Sequence, residues 1–136
     1  MNKIEHIGIA VSDLGLASDT FEKLLNRKSY KTEDVASESV RTEFFQLGES
    51  KLELLGSLDE KSAIASFLSK NRPGMHHIAI AVDDINAEID RLKSLGFSFV
   101  SETPKKGADN KRIVFLHPKS TQGVLVELCE EIEKDR

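Results

Sequence analysis

The chain has 136 residues, 39% of them hydrophobic and 31% charged, with a formal net charge of −4. This length suits one domain with its own apolar core. The composition excludes a disordered chain, and the acidic balance and lack of tryptophan argue against a nucleic-acid partner. The single cysteine, Cys129, excludes an internal disulfide, and no apolar run is long enough to span a membrane, so we expect a cytoplasmic protein without membrane contact.

The first half of the chain predicts the order β-α-β-β-β. Residues 4–11 are rich in β-branched residues, as strands are, and Asp13 is placed to cap the helix that follows. Apolar residues recur at helical spacing through that helix. They are Leu16, Ala17, Phe21, Leu24 and Leu25. Three further strands are predicted near 28–35, 39–47 and 50–56.

The second half predicts the same order after a short linker helix whose apolar stripe ends before Pro73. A strand over 76–82 leads to Asp83 or Asp84, either of which can cap a helix, and Gly96 is placed to end that helix. The helical stripe consists of Ile85, Ile89, Leu92 and Leu95. The remaining strands are predicted near 97–102, 112–117 and 123–129.

The two halves also repeat in sequence. Residues 6–11 read His-Ile-Gly-Ile-Ala-Val and residues 77–82 read His-Ile-Ala-Ile-Ala-Val, with five of six positions identical. Further along, Leu-Glu-Leu at 52–54 matches Val-Glu-Leu at 126–128. Because two segments match in the same order, homologous halves are favoured over a chance likeness.

We therefore predict a single domain over 1–136, built from half-modules 3–57 and 74–131 with a linker helix in 58–73. Each half-module alone has a size at which an apolar core is marginal, so the two need each other for burial.

Strand alternation puts a histidine and two small residues on one face of the first strand of each half. These residues are His6, Gly8 and Ala10 in the first half and His77, Ala79 and Ala81 in the second. A strand face that packs in a core normally carries large side chains, so the small residues leave a space beside the histidine. Glu53 and Glu127 stand between apolar neighbours in their strands, where a carboxylate needs a partner.

Each half thus supplies one histidine and one glutamate, and an approximate two-fold relation of the halves would bring the four groups to one point. The set is His6, Glu53, His77 and Glu127. Two imidazoles and two carboxylates suit Co²⁺, Ni²⁺, Mn²⁺, Fe²⁺ or Zn²⁺. A lone histidine or glutamate in a strand is more often structural, but the duplication favours ligands. Outside this set, His76 lies on the opposite face, His117 precedes a proline in a loop, and Cys129 is expected to be a buried, inert thiol.

Three motifs follow in order along the second half: Gly74-Met75-His76-His77, His117-Pro118-Lys119 and Gly123-Val124-Leu125-Val126-Glu127-Leu128. With the strand at 6–11, they resemble the vicinal-oxygen-chelate (glyoxalase/bleomycin-resistance/dioxygenase) superfamily, and within it the methylmalonyl-CoA epimerase family. The resemblance implies an α+β fold, in which two tandem βαβββ modules form a cupped eight-stranded mixed sheet with helices on its outer face. It also implies a homodimer and a divalent metal on the four ligands, Co²⁺ first and Ni²⁺, Mn²⁺ or Zn²⁺ otherwise.

The implied activity is the interconversion of (R)- and (S)-methylmalonyl-CoA by α-proton transfer through a metal-chelated enolate. Inversion needs an acid and a base on opposite faces of the enolate. Glu127 is the first choice for one base, and Glu53 is kept for the other, with Glu43 as the alternative behind it. Some relatives carry a glutamate on the third strand where Thr42 stands here, and the neighbouring Glu43 should face the other way by alternation.

A basic cluster in the second half is suited to the phosphates of coenzyme A, although a solvated loop is the alternative. It consists of Lys105, Lys106, Lys111 and Arg112. Two other functions stay open. One is a glyoxalase I-type isomerase, although the stretch 7–10 lacks the arginine that those enzymes commonly carry. The other is a metal-free, ligand-sequestering protein like the bleomycin-resistance proteins, which need no His/Glu quartet.

Overall fold

The computed structural model describes residues 1–132, which divide into two compact units. One unit runs from His6 to His76, and the other combines Met1–Glu5 with the chain from His77 onward. Of the helices in this described part of the chain, the longest has 12 residues, and none is long and apolar enough to cross a membrane.

The His6–His76 unit is built from a mixed sheet and two α-helices. In chain order the elements are β1 (Lys3–Ala10), α1 (Leu14–Leu25), β2 (Lys31–Val35), β3 (Val40–Leu47), β4 (Ser50–Ser57) and α2 (Ala63–Lys70). The strands lie in the order β2-β3-β4-β1, with β1 parallel to β4 and the other neighbours antiparallel.

Helix α1 packs on one face of this sheet. Asp13 caps it by accepting a hydrogen bond from the Leu16 N–H at 3.0 Å. Its contact face packs against Phe45 and Leu54, which are both 0% exposed. The contact residues are Leu14, Ala17, Phe21 and Leu25. The prediction that Leu16 and Leu24 share this face is wrong, because they are 66% and 71% exposed and lie on another side of the helix.

The predicted linker helix is confirmed as α2, and it packs on the sheet face opposite to α1. Ile64, 2% exposed, packs there against Ala10 and Leu55. The register pairs Ala10 with Leu55, two residues beyond Glu53 on the same face of β4. Helix α2 therefore covers one end of the sheet face that carries Glu53.

The unit from His77 onward follows the same order. Its elements are β5 (Gly74–Ala81), α3 (Ile85–Ser94), β6 (Lys105–Lys106), β7 (Lys111–Phe115) and β8 (Val126–Glu131). The strands lie in the order β5-β8-β7-β6, with β5 parallel to β8 and the other neighbours antiparallel. The α+β class with two βαβββ modules is thereby confirmed.

Helix α3 buries its predicted stripe against this second sheet. Asp84 is its cap and accepts a hydrogen bond from the Ala87 N–H at 3.0 Å. Three helix residues, Ile85, Ile89 and Leu92, form a buried cluster with Val114, Leu116 and Leu128. Leu95, predicted for the same stripe, ends the helix and is 64% exposed.

The strand predicted over 97–102 is wrong. Within that stretch only Phe99 forms a bridge, to Leu116, and the edge strand of this unit is β6 instead. A backbone hydrogen bond links Val100 N–H to the Phe115 carbonyl at 2.9 Å, but the chain then bends, and Pro104 has no N–H with which to extend a ladder.

Candidate metal and active site

His6 and Glu53 lie side by side on one face of the first sheet. In the parallel ladder of β1 and β4, Gly8 is the neighbour of Glu53, and His6 shares its face with Gly8. The His6 Nδ1 and Glu53 Oε2 atoms are 3.0 Å apart. The two residues are 5% and 4% exposed. This unit therefore holds an imidazole nitrogen and a carboxylate oxygen together in a buried setting.

His77 and Glu127 form the corresponding pair in the second unit. Ala79 is the ladder neighbour of Glu127, and His77 shares the face of Ala79. The His77 Nε2 and Glu127 Oε1 atoms are 3.0 Å apart. The Phe115 ring stands edge-on to the imidazole, with centroids 5.6 Å apart. That contact limits rotation of the ring and holds its nitrogen toward Glu127.

The two pairs fit a divalent metal by donor chemistry. Neutral imidazole and carboxylate are the donors that Zn²⁺, Co²⁺, Ni²⁺ and Mn²⁺ take in proteins. Nitrogen and oxygen stand 3.0 Å apart in each pair, close enough to bind one ion together. A buried carboxylate also needs a cation or a shared proton as its partner, and a metal ion meets that need. That all four groups bind a single ion stays a prediction.

Thr42 and Glu43 are consecutive residues of β3, so their side chains lie on opposite faces of the sheet. Glu43 faces α1, where its Oε1 accepts hydrogen bonds from Ser18 Oγ at 2.8 Å and Ser29 Oγ at 2.6 Å. The register with β4 runs unbroken over Val40–Leu47, so no bulge turns Glu43 around. The prediction that Glu43 faces away is confirmed, and Thr42 lies on the face that carries the His–Glu pair.

Three other residues of ligand type have contacts of their own. The His76 ring meets the Phe67 ring edge-on, with centroids 5.0 Å apart. His117 Nδ1 accepts a hydrogen bond from Lys119 N–H at 3.1 Å, at the start of a short 3-10 turn. Cys129 is 2% exposed, and its thiol donates to a backbone carbonyl.

The basic cluster divides between the two faces of its sheet. By register and alternation Lys105 and Lys111 share one face, and Lys106 and Arg112 share the other. Arg112 Nη1 donates a hydrogen bond to Glu130 Oε2 at 2.7 Å. Both lysines of the edge strand β6 are exposed. Arg112 is exposed as well, but it is paired with Glu130, whereas Lys111 is half-buried.

Phe115 is a site residue that sequence reasoning missed. Its ring contacts His77, and the register sets it directly opposite Glu127. A lone phenylalanine in an apolar strand resembles any core residue, so composition gives no signal. Pairing strand 112–117 with the Glu127 strand would have placed it, but that register depends on the turn between them.

A family model described as the glyoxalase/bleomycin resistance protein/dioxygenase superfamily matches residues 5–115. The chain belongs to this superfamily. The resemblance read from the motifs is thereby confirmed. The match covers both βαβββ modules in part, from β1 to the end of β7.

Two curated superfamily members are similar over nearly all of the chain. The mitochondrial methylmalonyl-CoA epimerase of Homo sapiens is 42% identical over 129 residues, which are 94% of this chain and 73% of that protein. An ethylmalonyl-CoA/methylmalonyl-CoA epimerase of Cereibacter sphaeroides is 42% identical over 130 residues, which are 94% of this chain and 97% of that protein.

A solved structure is also similar to this chain over its whole length. A variant of the Streptomyces coelicolor methylmalonyl-CoA epimerase, in complex with 2-nitronate-propionyl-CoA, is 32% identical with a TM-score of 0.93. The alignment covers 100% of this chain and 99% of that chain.

Proposed function

We propose that this superfamily member is a methylmalonyl-CoA epimerase, which interconverts (R)- and (S)-methylmalonyl-CoA by α-proton transfer. The observation that carries the proposal is the buried His–Glu pair, present once in each unit with its atoms 3.0 Å apart. Relatives named as epimerases of this substrate, at 42% identity over 94% of the chain, support the choice of reaction.

We propose His6, Glu53, His77 and Glu127 as ligands of one divalent metal, with Co²⁺ expected before Ni²⁺, Mn²⁺ or Zn²⁺. When bound, such an ion supplies a Lewis acid that stabilises negative charge on the thioester oxygen. Both pairs are buried, which keeps bulk water from the carboxylates and would strengthen their attraction to a bound cation.

Glu127 and Glu53 are the proposed proton-transfer groups. Removal of the α-proton makes the α-carbon planar, and inversion follows when the proton returns to the opposite face. A carboxylate has two oxygens, so one can bind a cation while the other accepts or returns a proton. Glu43 is not a candidate for the second base, because two serine hydroxyls hold it on the α1 side of the sheet. Glu53 is therefore retained as the second base.

We propose that the segment 105–112 binds the phosphates of coenzyme A, with Lys105, Lys106, Lys111 and Arg112 as the cations. Lys105, Lys106 and Arg112 are exposed, and Arg112 is paired with Glu130. Replacing both exposed lysines by alanine is expected to raise KM for methylmalonyl-CoA about 5- to 10-fold at low salt with kcat unchanged, because each exposed ion pair contributes little and both are lost. The Lys23→Ala variant on α1 is the control. An unchanged KM at low ionic strength would exclude these lysines.

The test of function is incubation with one epimer of methylmalonyl-CoA in D₂O, followed by ¹H NMR. We expect loss of the α-proton signal with formation of the other epimer, ended by a chelator and restored by added Co²⁺. A parallel reaction uses the methylglyoxal–glutathione hemithioacetal. Turnover of that compound alone indicates a glyoxalase I-type isomerase, and turnover of neither, with no metal bound, indicates a ligand-sequestering protein.

A homodimer and a cytoplasmic location also stay predictions. The homodimer rests on the family resemblance, and the location rests on cysteine usage. Sedimentation analysis of the purified protein measures the first directly.

A further inference from the structure

Gly107 is a buried glycine at which a methyl group cannot be added without a clash. It follows the edge strand β6 directly, and its φ angle of −108° suits any residue, so backbone freedom does not explain the glycine. A Cβ atom at this position would lie 2.7 Å from Ile113 Cδ1 and 3.0 Å from Ile113 Cγ2. Carbon atoms in contact are normally about 3.5–4.0 Å apart. The glycine is therefore explained by the close approach of Ile113 to the backbone.

Ile113 has little room to move away from this contact. It is buried and packs in an apolar cluster with Ala79 and Cys129, which are buried as well. Ile113 lies opposite Cys129 in the register with β8. Two residues along the strand, Phe115 lies opposite Glu127 on the same face. Because close-packed side chains leave no space for a displaced group, a side chain added to Gly107 would move the backbone of its turn instead.

The turn that begins at Gly107 is fixed to its sheet by three hydrogen bonds. The Gly107 N–H donates to the Lys111 carbonyl at 2.9 Å. On the other side of the turn, Asn110 Nδ2 donates to the Ile132 carbonyl at 3.3 Å, and the Ile132 N–H donates to the Asn110 carbonyl at 3.2 Å. The position of this turn above the sheet is therefore set by how closely Gly107 approaches the sheet.

Lys105 is the cation whose position depends on this turn. It is the direct neighbour of Ile113 in the register of β6 and β7, so its side chain lies on the face that carries the His77–Glu127 pair. The edge strand β6 is two strands from β8, which corresponds to about 10 Å. Lys105 is exposed and precedes Gly107 by two residues. A displacement of the turn at Gly107 therefore moves Lys105 relative to this face.

We propose that Gly107 is a positioning residue for the phosphate-binding segment. Its lack of a side chain lets the turn lie against Ile113, and this holds the Lys105 ammonium group where it meets a phosphate of the bound coenzyme A ester. The inference rests on the proposed function of the segment 105–112. Gly107 acts through Lys105 and not by a contact of its own. A change at Gly107 should therefore alter binding of the coenzyme A part and leave proton transfer at the acyl group unchanged.

The test is Gly107→Ala, assayed with methylmalonyl-CoA and with free coenzyme A at low ionic strength. We expect KM for methylmalonyl-CoA and the dissociation constant of coenzyme A to rise about 3- to 10-fold, with kcat and metal content unchanged. The same substitution in a Lys105→Ala background should add no further change, because both residues act on one contact. Gly15→Ala on α1 is the control, since a Cβ atom there would meet Asp13 Oδ1 at 3.6 Å, an ordinary contact distance.

Two further variants address the clash and the turn separately. Ile113→Val removes the Cδ1 atom 2.7 Å from the added methyl group, so Gly107→Ala combined with it should bind coenzyme A within about 2-fold of Ile113→Val alone. Asn110→Ala loosens the same turn by removing a hydrogen bond to Ile132, and it should weaken coenzyme A binding about 2-fold. Unchanged binding in Asn110→Ala would overturn the inference even if Gly107→Ala did not fold.

Three results with Gly107→Ala would overturn the inference and leave the proposed epimerase activity intact. In the first, the variant binds coenzyme A as wild type does. In the second, it weakens binding by the same factor in the Lys105→Ala background, so it does not act through Lys105. In the third, kcat and metal content fall while coenzyme A binding is unchanged, so the strain passes to the His77–Glu127 pair. An inactive wild-type protein that binds coenzyme A would instead refute the epimerase activity alone.

Discussion

Replacing Glu127 by Gln is expected to lower the rate of epimerisation by about 10²- to 10⁴-fold, the range in which a positioned acid or base contributes. The glutamine amide keeps the size of the side chain and one oxygen that can bind a metal ion, but it takes up no proton near neutral pH. Glu127 is 5% exposed with its Oε1 3.0 Å from His77 Nε2, so the substitution acts inside a buried pair.

The two epimers should respond differently to this substitution. If Glu127 serves one face of the α-carbon and Glu53 the other, the variant can still remove the proton from one epimer only. That epimer should exchange its α-proton for deuterium without inversion, and the other should not exchange. The measurement is ¹H NMR in D₂O with each epimer separately.

A matched control lies on the same strand. Glu131 is exposed at the end of β8, and Glu131→Gln changes the charge by the same amount outside the buried pair. It should epimerise at the wild-type rate. If Glu127→Gln also kept that rate, with metal content equal to wild type by elemental analysis, Glu127 would not be a proton-transfer residue.

The residues of the two His–Glu pairs could be read from the sequence because strand alternation is a local rule. His6 and Gly8 share a face whatever the strand pairs with, and the same holds for His77 and Ala79. The repeat then supported the assignment, since each histidine and glutamate in one half has an equivalent residue of the same type in the other half. The 3.0 Å spacing within each pair depends on the ladder registers, which no local rule supplies.

Other features depend on contacts between distant segments. Leu16 and Leu24 have helical spacing, but the docking angle of α1 decides that they face solvent. The segment after α3 has strand composition at 97–100, yet it forms one bridge, because the chain bends before Pro104.

Replacing His77 by Ala is expected to abolish metal binding. Wild-type protein should carry about one divalent ion per chain, and the variant less than about a tenth of that, because a ligand nitrogen is lost from a four-donor set. The measurement is elemental analysis after dialysis against metal-free buffer, with circular dichroism to check that the fold is kept. Activity in the D₂O exchange reaction should be lost in parallel.

The neighbouring histidine provides the control for this prediction. His76 precedes His77 on β5, points to the other face by alternation and packs edge-on against Phe67. His76→Ala removes the same chemical group one residue away, so it should keep the metal and the exchange activity. Full metal content in His77→Ala would show that the His77–Glu127 pair is an ordinary buried ion pair. Loss of metal in both variants would instead point to a general disturbance of β5, because the proposed ligand is His77, which lies 3.0 Å from the Glu127 carboxylate.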